Sequence, residues 1–109
     1  MGIKTIEVFY NVNRIPDMQP GDWDAAMDFR DAAMTLIEDA LMEARAGEWE
    51  GAEIGSNPAT GEPEVNFGFA VSDFDEAEAL VRKAVKGTRY ERIREIMRRE
   101  VEMESQAIH

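Results

Sequence analysis

The sequence predicts an α+β fold, a three-stranded antiparallel sheet packed on helices, and three observations point to it. Residues 3–12 alternate apolar and polar side chains at the period of a strand. Residues 48–54 and 64–71 form two more strand-like runs around a turn at Asn57-Pro58-Ala59-Thr60-Gly61. Residues 22–47 and 72–87 repeat their apolar positions at helical spacing, each run opened by an acidic cap and followed by glycine.

In the first strand Ile6, Val8, Tyr10 and Val12 face one way and Thr5, Glu7, Phe9 and Asn11 the other. Phe9 on the otherwise polar side points to a second face that is partly covered, by a neighbouring strand's side chains or by another subunit. Residues 13–21 make a link longer than the usual strand-to-helix loop. Asp22 then caps a helix on which Trp23, Ala26, Met27, Ala33, Met34, Ile37, Ala40, Leu41 and Ala44 share one broad face, with Phe29 and Leu36 at its edge. Asp24, Asp28, Asp31, Glu38 and Asp39 lie opposite, Trp23 is expected in the core, and Gly47 is expected to close the helix.

The strands at 48–54 and 64–71 are expected to pair as an antiparallel hairpin, the second placing Val65, Phe67, Phe69 and Val71 on one face. Asp73 with Glu76 three residues on makes a capping box for a helix whose core face is Phe74, Ala77, Leu80, Val81, Ala84 and Val85, and Gly87 ends it. Thr88-Arg89-Tyr90-Glu91 reads as another capping box, opening a third helix from about 89 to 103. A fourth strand over 88–96 competes with that reading, and the spacing of four between Ile93, Met97 and Val101 favours the helix. Residues 1–103 are thus expected to form a single domain, with 104–109 a flexible tail.

The order β-α-β-β-α-α resembles a ferredoxin-like domain whose final strand is either replaced by a helix or reads as one. The likeness rests on element order over most of the chain. It carries no residue-level motif and implies no active site.

Charge is laid out unevenly. Residues 1–81 hold eighteen acids and four bases, whereas 82–99 hold eight bases and two acids, within a net charge of −11. That balance argues against direct binding to nucleic acid, which rests on clustered cations releasing counterions, and favours a basic protein partner. Cys is absent, so neither a disulfide framework nor a thiolate nucleophile is expected. The opening residues run straight into the strand pattern, and no segment reaches the roughly 20 apolar residues of a membrane span. A cytoplasmic location with no membrane contact is the corresponding expectation.

No catalytic pattern stands out. The only His is His109, and the acids of 22–31 and 73–78 sit where a helix N-terminus favours them. Asp73-Phe74-Asp75 departs from a calcium loop at Ala77 and Glu78, and the glycines fit neither a P-loop nor a dinucleotide fingerprint, so no metal or cofactor is expected.

Arg30 projects on the apolar side of the first helix. It either snorkels to the rim or turns inward, where Tyr10, Arg14, Asp17 and Arg30 would meet beneath the 13–21 link in a pocket for a small anionic ligand. Asp24, Asp28, Asp31 and Asp39, with Trp49 on what reads as an edge strand, are the candidate residues for binding a partner. The basic stretch reads either as a self-paired, solvated face or as an edge that meets the acidic helix of a second copy in a homodimer. Three functions follow: an acidic module that binds or inhibits a basic macromolecule, as an immunity, antitoxin-like or phage-type inhibitor does; a dimeric sensor of a small anion; and, last, a small enzyme.

Overall fold

A computed structural model describes residues 2–19 and 21–102. In chain order the elements are β1 (Gly2–Asn11), a 3₁₀ turn (Val12–Arg14), α1 (Trp23–Glu43), β2 (Gly47–Ser56), β3 (Pro63–Val71), α2 (Phe74–Val85) and β4 (Glu95–Glu102). The fold is α+β. Its sheet has four strands in the order β2-β3-β1-β4, every neighbouring pair antiparallel, in place of the three expected.

The extra strand replaces the expected third helix. Residues 88–94 form a turn and an extended link, and Glu95–Glu102 lies along β1 from Phe9↔Glu95 to Gly2↔Glu102, seven residues beyond the start of the competing strand reading over 88–96. Without it the second edge of β1 would present a row of unpaired N–H and C=O groups. Thr88 does not open a helix. Its hydroxyl donates to the Val85 carbonyl (2.6 Å) and accepts from the Tyr90 amide (3.1 Å), which folds the chain back after α2. The tail at 104–109, His109 and the last residue of the expected third helix lie outside the described residues.

One face of the sheet carries the core. Ile6, Val8 and Tyr10 of β1 and Val65, Phe67, Phe69 and Val71 of β3 are buried under Ala26, Phe29, Ala33, Ile37 and Leu41 of α1 and Ala77, Val81 and Val85 of α2. Burying each of the larger apolar side chains contributes roughly 1.5–3 kcal/mol. Five rings form the centre: Tyr10 meets Phe29 edge-on (5.1 Å) and Phe67 in a stack (6.0 Å), Phe67 meets Phe69 (5.7 Å), and Phe29 meets Tyr90 (5.0 Å).

Those rings explain how α1 sits. Phe29, expected at the edge of the apolar face, is buried between Tyr10 and Tyr90, and this turns Trp23 outward to 47% exposure instead of into the core. The expected caps are present, with Asp22 accepting from the Ala25 amide (3.0 Å) and Asp73 from the Glu76 amide (2.8 Å). Gly47, however, does not close α1. Arg45 takes the left-handed position (φ 55°), its amide donating to Met42 (3.0 Å) and that of Ala46 to Leu41 (2.8 Å), while Gly47 already belongs to β2. A Cβ on Gly47 would stand 2.8 Å from the Ala70 carbonyl oxygen, so glycine serves close strand approach there. Gly61 and Gly87 hold the positive φ expected of them, 75° and 78°.

Candidate functional site

The flank of α1 that runs beside β2 is built by two local events. The first is the turn of α1 set by Phe29, which exposes Trp23 and Met27 at one end and leaves Met42 exposed at the other. Trp23 lies by Pro63 at the start of β3, and Met42 borders a depression of about 480 Å³ with Gly47 and Glu48, so the flank spans the length of the sheet. The second is a bulge. Trp49 pairs with Phe69 and Gly51 with Gly68, which leaves Glu50 as the extra residue and changes the phase of the strand. Trp49, Ala52 and Ile54 therefore all stand on the helix side, opposite Phe69, Phe67 and Val65. Trp49, expected at the surface, is 47% exposed, and Ile54 is exposed as well.

Around these apolar side chains the charge is mostly negative, with the exposed Arg45 the exception at the Met42 end. Asp24 and Asp31 are exposed on α1, and Glu48, Glu50 and Glu53 on β2, while Asp28 and Asp39, also exposed, lie on the other side of the helix, Asp28 beside Arg89 and Tyr90. Arg30 is the lone cation within α1, and it neither snorkels freely nor points at a ligand. Its guanidinium lies against Asp31, with Nε 3.0 Å and a terminal nitrogen 2.9 Å from the carboxylate, and its side chain is 14% exposed. Asp24, Asp28 and Asp39 form no ion pair among the described residues. Exposed apolar side chains on this flank thus lie near exposed carboxylates.

The four residues expected to line a ligand pocket are placed apart. Tyr10 is buried and its hydroxyl donates to the Tyr90 carbonyl at 2.7 Å, and burial pushes the phenol well above its ordinary range. Asp17 borders a depression of about 360 Å³ with Asp28, Phe29, Arg89 and Tyr90. Arg14 borders another, about 380 Å³, with Asn11, Arg92 and Arg94. Acids accompany those cations: Glu62 accepts from the Asn11 amide (3.0 Å), and the bonds from Asn11 and Asn13, with Arg14 nearby, hold its carboxyl below the usual range. Arg94 bonds Glu64 (2.8 Å) and Glu95 (3.0 Å) while lying 5.2 Å over the Phe9 ring.

That last contact was not legible in the sequence. Glu64 is 6% exposed and depends on an arginine thirty residues away, with no spacing rule to connect them. It also accounts for Phe9, whose covering is the Arg94 guanidinium. Arg98, expected on a helix among its own neighbours, reaches across to Glu78 and to Asp75 (2.8 Å) of α2. The exposed Ile54 could have been anticipated only from Gly51, a glycine within a strand being a sign of a bulge.

Among the described residues no three His, Cys, Asp or Glu side chains are grouped to hold a metal ion, and no helix is long and apolar enough to cross a membrane. No family model, curated protein or solved structure matches the chain.

Proposed function

We propose that this chain is a ferredoxin-like, non-catalytic interaction module that binds, and by occupying it inhibits, a basic macromolecular partner through the α1–β2 flank. The element order β-α-β-β-α-β with strand order β2-β3-β1-β4 supports the fold reading. The observation that carries the function is the flank itself: Trp23, Met27, Met42, Trp49 and Ile54 exposed beside Asp24, Asp31 and Glu48, with Arg30 already taken by Asp31 and Arg45 exposed at the Met42 end. Apolar anchors supply affinity, and the surrounding carboxylates supply attraction, orientation and selectivity for a cationic surface. The sensor reading has less in its favour, since the Tyr10 hydroxyl is engaged and the Arg14 depression is lined by cations whose neighbours are acids.

Affinity capture from the native host's lysate, at low and high salt, tests this with two variants. A stoichiometric basic partner is expected with the wild type and weakened by salt. Binding should fall about tenfold to a hundredfold when Asp28, Asp31 and Asp39 become Lys, and to a similar degree in Trp49→Ala. A partner that binds both variants as it binds the wild type would overturn the reading.

A further inference from the structure

Among the described residues no element covers the face of the sheet away from the helices, and its two halves differ in size and, at the height of Arg99, in charge. On β1 and β4 it carries Ile3, Met97 and Val101, all exposed, together with Arg99, Glu7 and Glu95. On β3 and β2 it carries Ala70, Gly68 and Gly51, together with Glu48 and Glu53. Gly51 and Gly68 stand side by side in a depression of about 300 Å³ that runs across the face from Glu50 and Glu53 to Arg99 and Val101. A Cβ built on Gly51 would meet nothing within 4 Å, so the space above it is empty.

We propose that this face binds a second copy of the chain, the two sheets stacked about a two-fold axis that runs parallel to the strands, between β1 and β3. Such an axis exchanges the halves and keeps every residue at its own height along the strands, so the registers state which residues meet. Arg99, Thr5, Ala70 and Glu48 share one height, which sets Arg99 against Glu48 of the second copy. Met97, Glu7, Gly68 and Gly51 share the next, which sets Met97 over the depression at Gly51 of the second copy. Two heights further than Arg99, Glu95 meets Glu53 of the second copy, and Arg94, 3.0 Å from Glu95, offsets that pair of acids.

The alternative axis, lying across the strands, stacks β4 on β4 and β2 on β2, which sets bulk on bulk and acid on acid. Shape and charge therefore select the same arrangement. Stacked sheets lie about 10 Å apart, a separation that a methionine over a glycine spans and two large side chains crowd. This face is turned away from the helices and its occupant is the chain itself, so the inference stands independently of the partner proposed for the α1–β2 flank.

Sedimentation equilibrium of the full chain, at micromolar to hundred-micromolar concentration, tests it with four variants checked for folding by circular dichroism. The wild type is expected to be a dimer. Arg99→Glu and Glu48→Arg should each weaken it about tenfold or more, and the double exchange should restore it, because the same pair is rebuilt with its signs reversed. Gly51→Leu, which has room in its own subunit, should leave a folded monomer. A monomeric wild type, a dimer indifferent to Gly51→Leu, or folded single charge variants whose double exchange restores nothing would each overturn the proposal.

Discussion

The acidic flank formed by α1 and β2 and the basic stretch from Arg82 to Arg99 differ in what they do with their charge. In the basic stretch three of the six arginines are engaged inside the molecule. Arg94 holds Glu64 and Glu95, Arg98 holds Glu78 and Asp75, and Arg89 lies 5.4 Å over the Phe29 ring while donating to the Pro16 carbonyl (3.4 Å). Of the acids on α1 and β2, among the described residues, only Asp31 forms an ion pair. The same density of charge therefore serves architecture on one side of the molecule and display on the other, and a large count of ionisable residues does not by itself mark a binding surface.

The largest effect that would break this contrast is expected at Arg94. Its removal leaves a nearly buried carboxylate without its cation, so Arg94→Ala should lower stability by about 1–3 kcal/mol, reduced from a fully buried pair because the Arg94 side chain is 30% exposed. Adding Glu64→Gln should recover part of the loss. Urea denaturation of both variants decides whether Arg94 holds the fold, and an unchanged midpoint in Arg94→Ala would mean that this arginine is displayed as the acids are.

Tyr10→Phe comes next, at about 1–2 kcal/mol, since the Tyr90 carbonyl loses its donor in a buried setting. It has a pH signature. Burial, the leading cause, raises the phenol of the folded chain above its ordinary 10.0, against a smaller opposing pull from Arg82. The folded state thus favours the protonated form: its stabilising contribution is complete below 10.0 and is lost as pH rises from there toward the folded value, at about 1.4 kcal/mol per pH unit. Stability curves of wild type and variant above pH 10 should converge. Parallel curves would show that the hydroxyl is not sequestered.

The smallest effect sharpens the other side of the comparison. Converting Asp24, Asp28 and Asp39 to Asn should change stability by less than about 0.5 kcal/mol for each residue, because none forms an ion pair among the described residues. A clear loss in thermal melting would assign these acids to the fold.

Much of the architecture was legible in the sequence, because caps, turns and strand alternation act over a few residues. Asp22, Asp73, Gly61 and the Ile6-Val8-Tyr10 face are where local chemistry places them. The misreading of β4 has a simple cause. A spacing of four is one helical turn and also two strand repeats, so Met97 and Val101 share a face in either structure, and only the open edge of β1 decides between them. The flank was half legible for a related reason: its acids declare themselves, but the bulge at Glu50 shifts Ile54 onto the side of Trp49, and the rotation of α1 that exposes Trp23 depends on Tyr90, far along the chain. Arg94–Glu64 follows no periodicity at all.

The pairing of β1 with β4 also sets a timetable. Phe9 meets Glu95 and Gly2 meets Glu102, partners 86 to 100 residues apart, so the central strand of the sheet is completed by its last. At about 5–20 residues per second, a ribosome spends roughly 5–20 s between making the two. For the first part of that interval β3 is not yet made either, and once it is, β1 has it as its one native partner strand while its other edge stays open to any extended segment nearby. Contacts of such sequence separation place this small domain among the slower folders of its size.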